Sequence, residues 1–95
     1  KGGEAMERVY NVSYDLKSPG QNYTDLISEL KKSSSWWHYL DSTWLIRTQE
    51  SASQLWERIS SYFDKNDYAL IIEVGKDYQG WLPEKAWEWI KENVT

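Results

Sequence analysis

The side chains able to do chemistry are few and far apart. The chain has one histidine, His38, and no cysteine, so a thiolate nucleophile, a thiolate metal site and a disulfide framework are all excluded. Asp15 stands near the end of an alternating stretch, Val9 to Leu16, and Glu73 near the end of an apolar run, Tyr68 to Val74. Asp15 is a candidate metal ligand, and with Glu73 from an adjacent strand it would make an oxygen-rich site suited to Mg²⁺ or Mn²⁺, on which a metal-dependent hydrolase could be built. Other hydrolases need a positioned nucleophile with a general base, and no Gly-rich phosphate loop is present. His38 lies among aromatics, where a hydrogen-bonded, partly buried imidazole is commoner than a catalyst. The residues favour binding over catalysis, with no metal and no cofactor required.

The binding chemistry concentrates in Trp36-Trp37-His38-Tyr39-Leu40-Asp41-Ser42-Thr43-Trp44-Leu45-Ile46, which holds three of the seven tryptophans. Indole and phenol rings stack on planar bases at ~1–3 kcal/mol per base, and Arg47 with a few lysines would neutralise one or two phosphates. The ligand residues expected on this chemistry are Trp36, Trp37, His38, Tyr39 and Arg47, joined by Trp81 and Trp89 from the C-terminal part. A nucleotide or cyclic oligonucleotide fits better than a polymer, because few cations are needed. Such a protein could sequester a nucleotide signal. The plainer reading is that the tryptophans form core and dimer interface, since each can bury ~150–250 Å². A third class, a protein-directed inhibitor or adaptor, fits an acidic aromatic surface only in part, since acids are depleted at interface cores.

Charge narrows the partners. Eleven Lys and Arg oppose fifteen Asp and Glu, giving a net charge of −4 and a pI near 4.9. Proteins that neutralise many duplex phosphates carry a basic surface, so long nucleic acid is disfavoured as a partner. No apolar run approaches the ~18 residues of a membrane span, no secretory signal is read, and a cytoplasmic location is the expectation.

The elements that must position these residues follow from periodicity. Lys1-Gly2-Gly3-Glu4-Ala5 ahead of Met6 reads as a non-native remnant, which leaves 6–95 as one domain. Tyr10, Val12, Tyr14 and Leu16 alternate with Val9, Asn11, Ser13 and Asp15, the pattern of a half-buried strand. Asn11, Ser13 and Asp15 then form either a solvated sheet face or a polar site on an open one. Ser18-Pro19-Gly20 marks a loop, Asn22 can cap a helix, and Tyr23, Leu26, Ile27 and Leu30 recur at helical spacing. The Trp-rich tract reads as a β-hairpin turning at Asp41-Ser42, with Trp36, His38 and Leu40 on one face and Trp37 and Tyr39 on the other. Ser51 with Gln54 forms a capping-box pattern before the stripe Ala52, Leu55, Trp56, Ile59 and Phe63. The run Tyr68 to Val74 suits a strand buried on both faces, with Glu73 on the side of Ala69 and Ile71. Pro83 opens a last helix whose Trp87 and Trp89 lie on nearly opposite sides, one for the domain and one for a second subunit or ligand. The order is that of an α+β, ferredoxin-like βαββαβ domain with an added C-terminal helix, self-associating as a homodimer or larger.

Tyr14-Asp15-Leu16, the tract from Trp36 to Leu45, Gly80-Trp81-Leu82-Pro83 and the aromatic last helix resemble a family of small bacterial and phage proteins labelled SinR-like. The resemblance covers nearly all of Arg8 to Glu92 and implies a phage protein, one that could sequester a host nucleotide signal. More distantly, the strand ending in Tyr14-Asp15-Leu16 is similar to the small CRISPR-associated adaptation nuclease, whose fold is ferredoxin-like. That likeness implies a dimer through the sheet face. It implies, as the alternative function, a metal-dependent endonuclease with Asp15 as its catalytic residue, the Asp15 of each subunit helping to hold a divalent cation as in the members that are metal-dependent nucleases. The acidic balance and the lack of a basic cluster depart from that pattern.

Overall fold

A computed structural model describes residues 6–17 and 23–95. The expected remnant at 1–5, the loop at Ser18-Pro19-Gly20 and the cap at Asn22 lie outside the described residues.

The alternating first segment is strand β1 (Arg8–Asp15). Helix α1 (Thr24–Leu30) follows, buries Leu26 and Leu30, and carries Asp25 in its first turn, where a carboxylate suits the helix dipole. The hairpin forms as read, β2 (Ser35–Leu40) and β3 (Thr43–Thr48) being joined at Asp41-Ser42. Helix α2 (Ala52–Ile59) starts at Ser51 with a full capping box: Ser51 Oγ accepts from the Gln54 N–H, and the Gln54 side chain accepts from the Ser51 N–H. A single 3₁₀ turn over Ser60–Tyr62 leads to β4 (Tyr68–Glu73), and α3 (Glu84–Asn93) starts after Pro83. The architecture is α+β, in the order βαββαβ with a third helix appended. One four-stranded sheet runs β2-β3-β1-β4, and every neighbouring pair is antiparallel.

Two cores lie on opposite sheet faces. Tyr10 and Val12 of β1 and Trp44 and Ile46 of β3 meet Leu26, Leu30, Leu55 and Ile59 of α1 and α2. Behind the sheet, Val9, Trp37 and Leu45 meet Ala86, Ile90 and Val94 of the α3 segment. Full burial of such a side chain is worth ~1.5–3 kcal/mol, so α3 contributes a second core rather than an appendage. It covers only part of its face.

Three local expectations change. β4 is an edge strand and exposed along most of its length, not a strand buried on both faces. A continuous apolar run reports composition; it carries no information about which sheet position the strand takes. In β2 the register shifts between Trp37, opposite Leu45, and Leu40, opposite Thr43. This bulge moves Leu40 from the face of Trp36 to the face of Trp37, because one extra residue inverts side-chain alternation. On α3, Trp87 and Trp89 both pack on the second core. Indole is long enough to reach the sheet from either flank of the Ala86–Ile90 stripe, so the helix does not present one tryptophan inward and one outward.

Candidate functional site

The residues expected to hold a ligand separate into three places. On the face covered by α1 and α2, His38 stacks on Trp44 with ring centroids 3.9 Å apart and planes 14° apart, and its Nε2 lies 3.2 Å from the Asp41 carbonyl oxygen. Trp36 lies 5.4 Å from Trp44, with Lys31 Nζ 5.1 Å from its ring centre. On the opposite face Trp37 is buried and donates Nε1–H to the Ala86 carbonyl oxygen at 3.2 Å, with the Tyr39 ring 5.3 Å away. Trp89 donates Nε1–H to Ser35 Oγ at 2.9 Å. Trp81, 98% exposed, stands in the segment before α3. Arg47 donates to Glu7 Oε1 at 2.9 Å and to Asn93 Oδ1 at 3.1 Å, tying β3 to the N-terminal segment and to α3. The hydrogen bond from Ser34, reinforced by Arg47, holds the Glu7 carboxyl below its ordinary range. These seven side chains do not enclose one ligand.

Nor do the two carboxylates meet. Asp15 pairs in register with Tyr68 and Glu73 with Tyr10. Five residues of strand separate the two rungs, ~17 Å at ~3.4 Å per residue. Asp15 also follows the Asn11 and Ser13 side of β1, while Glu73 lies with Ile71 on the α2 side. Asp15 is exposed and paired with Lys17 Nζ at 3.0 Å. Among the described residues no group of three or more His, Asp or Glu side chains is placed to hold a metal ion.

What the structure does gather is a cleft of about 210 Å³ where the second face passes under the Gly75–Pro83 segment. Trp37, Leu45, Leu82, Trp87 and Ile90 supply apolar surface, and Tyr78 stacks on Trp87 with centroids 6.2 Å apart. A Cβ placed on Gly80 would touch the Trp87 ring at 3.8 Å, so the segment rests directly on that indole. Asn11, Thr43 and Gln79 provide the polar lining. Ser13 Oγ–H donates to Asn11 Oδ1 at 2.6 Å, and Thr43 Oγ1 lies 3.3 Å from Ser13 Oγ. With the Ser13 proton committed to Asn11, Thr43 is the donor of that second bond. Among the described residues the Asn11 Nδ2 donors and the Thr43 lone pairs remain unused. Asn11 and Ser13 are legible as polar positions on β1; Tyr78, Gln79 and Trp87 are not, because only the tertiary fold brings their segment over the sheet.

A second cluster, centred on Arg58, has no sequence signature. Arg58 of α2 donates to both Glu50 oxygens at 2.9–3.2 Å, to the Glu29 carbonyl oxygen at 2.7 Å and to Ser33 Oγ at 2.9 Å. Burial opposes ionisation of Glu50, yet the hydrogen bonds from Arg58 and Thr48 and the guanidinium charge outweigh it and hold the carboxyl low. At Glu29 burial is again outweighed, here by Lys32 and Arg58. Every Arg58 N–H is matched to α1, to Ser33 just after it or to the loop between β3 and α2, so Arg58 clamps the helical layer and keeps no unused donor for an anion.

No protein-family model matches the chain, and no curated protein or solved structure shows significant similarity to it. No described helix is long and apolar enough to cross a membrane.

Proposed function

We propose that the chain is a self-associating, non-catalytic binding domain of the split-βαβ, ferredoxin-like kind, which sequesters a planar, nucleobase-like group in the cleft beneath Gly75–Pro83. Element order and strand order β2-β3-β1-β4 support the fold assignment. The observation that carries the binding role is the composition of the cleft: aromatic and aliphatic walls with one polar patch made by Asn11, Thr43 and Gln79. Apolar walls take the faces of a ring, and a few convergent polar groups fix its edge. Its size, below the ~300–1,000 Å³ of drug-sized pockets, admits one ring system. Arg47 is committed to Glu7 and Asn93, so the expected phosphate contact is not made by that residue. Nucleosides and monophosphates fit this reading better than polyphosphates.

The test is a titration of the intrinsic tryptophan emission with adenosine, guanosine, cytidine and their monophosphates. Saturable quenching is expected for at least one base, weakened tenfold or more by Asn11→Ala with unchanged circular dichroism. Equal binding by the Asn11→Ala protein, or no saturable response to any base, refutes the assignment.

A further inference from the structure

We infer that the free edge of β4 is the surface on which a second copy of this chain docks, by antiparallel pairing of β4 with its counterpart about a two-fold axis at Ile71. The inference locates the self-association in the proposed function and rests on that part of it; the ligand cleft plays no part in it.

Backbone direction decides which peptide groups of β4 are open. The Val74 N–H donates to the Val9 carbonyl oxygen at 2.8 Å, in line with the rung pairing Glu73 with Tyr10. Peptide groups alternate sides along an antiparallel strand, so Tyr68, Leu70, Ile72 and Val74 bond inward to β1. Ala69, Ile71 and Glu73 therefore turn their N–H and C=O groups to the open edge. A strand that ends a sheet is normally blunted by proline, lysine, a bulge or covering structure. The other edge strand, β2, carries such a bulge. β4 reads Tyr68-Ala69-Leu70-Ile71-Ile72-Glu73 and, among the described residues, has no proline, lysine, bulge or covering element, its one charge being Glu73 at the end of the strand.

Both sides of this edge are also apolar. On the cleft side Tyr68 is 72%, Leu70 58% and Ile72 56% exposed. On the other side Trp56 of α2, 44% exposed, lines a groove with Ala52, Ala69 and Ile71. With roughly half of each large side chain uncovered, these residues present on the order of 400 Å² of apolar surface, the size of the largest patch on a typical monomer, which is often functional. Two copies with their peptide edges approach the ~1,000 Å² that a specific interface requires.

The chain also selects a register. Pairing Ile71 with Ile71 of the second copy matches Ala69 to Glu73 and uses every outward peptide group, for about six hydrogen bonds. Leu70 then faces Ile72, and Tyr68 faces Val74, apolar pairs of the kind that stabilise adjacent strands. Shifting by two residues so that Leu70 faces Leu70 sets Glu73 against Asp67 of the other copy, a like-charge contact that disfavours it. The preferred arrangement is isologous, as a closed dimer requires, and makes one continuous eight-stranded sheet.

Sedimentation equilibrium should give twice the 11.3 kDa chain mass. Ile71→Pro removes an outward N–H and leaves the bonds to β1 intact, and Leu70→Lys charges the exposed face; each should weaken dimerisation at least tenfold. Because the chain lacks cysteine, Leu70→Cys and Ile72→Cys proteins can be mixed and oxidised. The register puts these residues at a non-hydrogen-bonded rung with Cα atoms ~4.5 Å apart, inside the disulfide range, so the mixture should cross-link far faster than either protein alone. A wild-type monomer would overturn both this inference and the self-association it rests on. A dimer undiminished by Leu70→Lys and without the mixed cross-link would overturn the β4 edge alone.

Discussion

Arg58→Ala is expected to remove the clamp that holds the helical layer together. The Arg58 side chain is 21% exposed, and its partners Glu29 and Glu50 are 14% and 27% exposed. An exposed ion pair is worth ~0–1 kcal/mol, while removing one partner of a buried pair costs ~3–5 kcal/mol. This cluster lies between those limits. Truncation would leave two carboxylates, one carbonyl oxygen and one hydroxyl short of their donor, so about 2–3 kcal/mol of stability should be lost. With a urea m-value of ~1–1.5 kcal/mol/M for a domain of this size, the midpoint falls by roughly 2 M while m stays constant. Arg58→Lys should recover only part of it, because an ammonium cannot make the paired, planar contact with Glu50 while also reaching Glu29 and Ser33. A midpoint shift below about 0.5 M, or full recovery with lysine, would show that the cluster is solvated decoration and refute this reasoning.

The same cluster sets the acid limit. Glu29 and Glu50 both have lowered pKa values in the folded chain. Their contribution is therefore complete above the ordinary carboxylate pKa, near ~4.3, and is lost as pH falls through the lower folded values. Asp67 acts with the same sign: burial opposes its charge, but the Lys17 N–H, the Tyr23 hydroxyl and the Asp64 N–H hold it ionised. Thermal unfolding followed from pH 7 to pH 2 should show this loss, and Arg58→Ala should flatten it without abolishing it; an unchanged slope in that variant would be the contrary result. Trp37→Phe deletes the indole donor to Ala86 and part of the second core, and should cost ~2 kcal/mol. Hydrogen exchange should then rise in α3 before it rises in α1 and α2, and a uniform rise would show that the two cores are not separable.

Much of this fold is written locally. Period-two alternation in β1, the hairpin around Asp41-Ser42 and the Ser51–Gln54 capping box are each set by a few neighbouring residues, and each appears where its residues place it. Position in the sheet is not local information. The Tyr68–Val74 run has the composition of a central strand, yet the order β2-β3-β1-β4 puts it outermost, and with that change the exposure of Leu70 and Ile72 becomes the most consequential feature of the surface. The candidate site was legible by halves for the same reason. Asn11 and Ser13 announce themselves by alternation on an apolar strand, whereas Tyr78 and Trp87 arrive from a segment more than sixty residues away in sequence. Arg58 is the extreme case, since Glu29, Ser33 and Glu50 converge on it only when α1 and α2 pack side by side.

The seven tryptophans divide by the fate of the indole N–H. A buried indole needs an acceptor. Trp37, Trp44 and Trp89 each have one inside the domain: the Ala86 carbonyl oxygen, the Tyr14 hydroxyl and Ser35 Oγ. Two of these, Trp37 and Trp89, are among the expected ligand residues; their hydrogen bonds pin α3 to the hairpin, and Trp37 also walls the cleft. Within the described residues Trp36, Trp56, Trp81 and Trp87 make no such bond, and all four keep some contact with solvent. Trp87 walls the cleft, and Trp56 flanks the β4 edge. An aromatic-rich strand pair is thus an unreliable guide to a binding site by itself. A satisfied indole donor fixes the ring in the fold without removing its face from the cleft, as Trp37 shows, so the N–H and the ring face have to be judged separately.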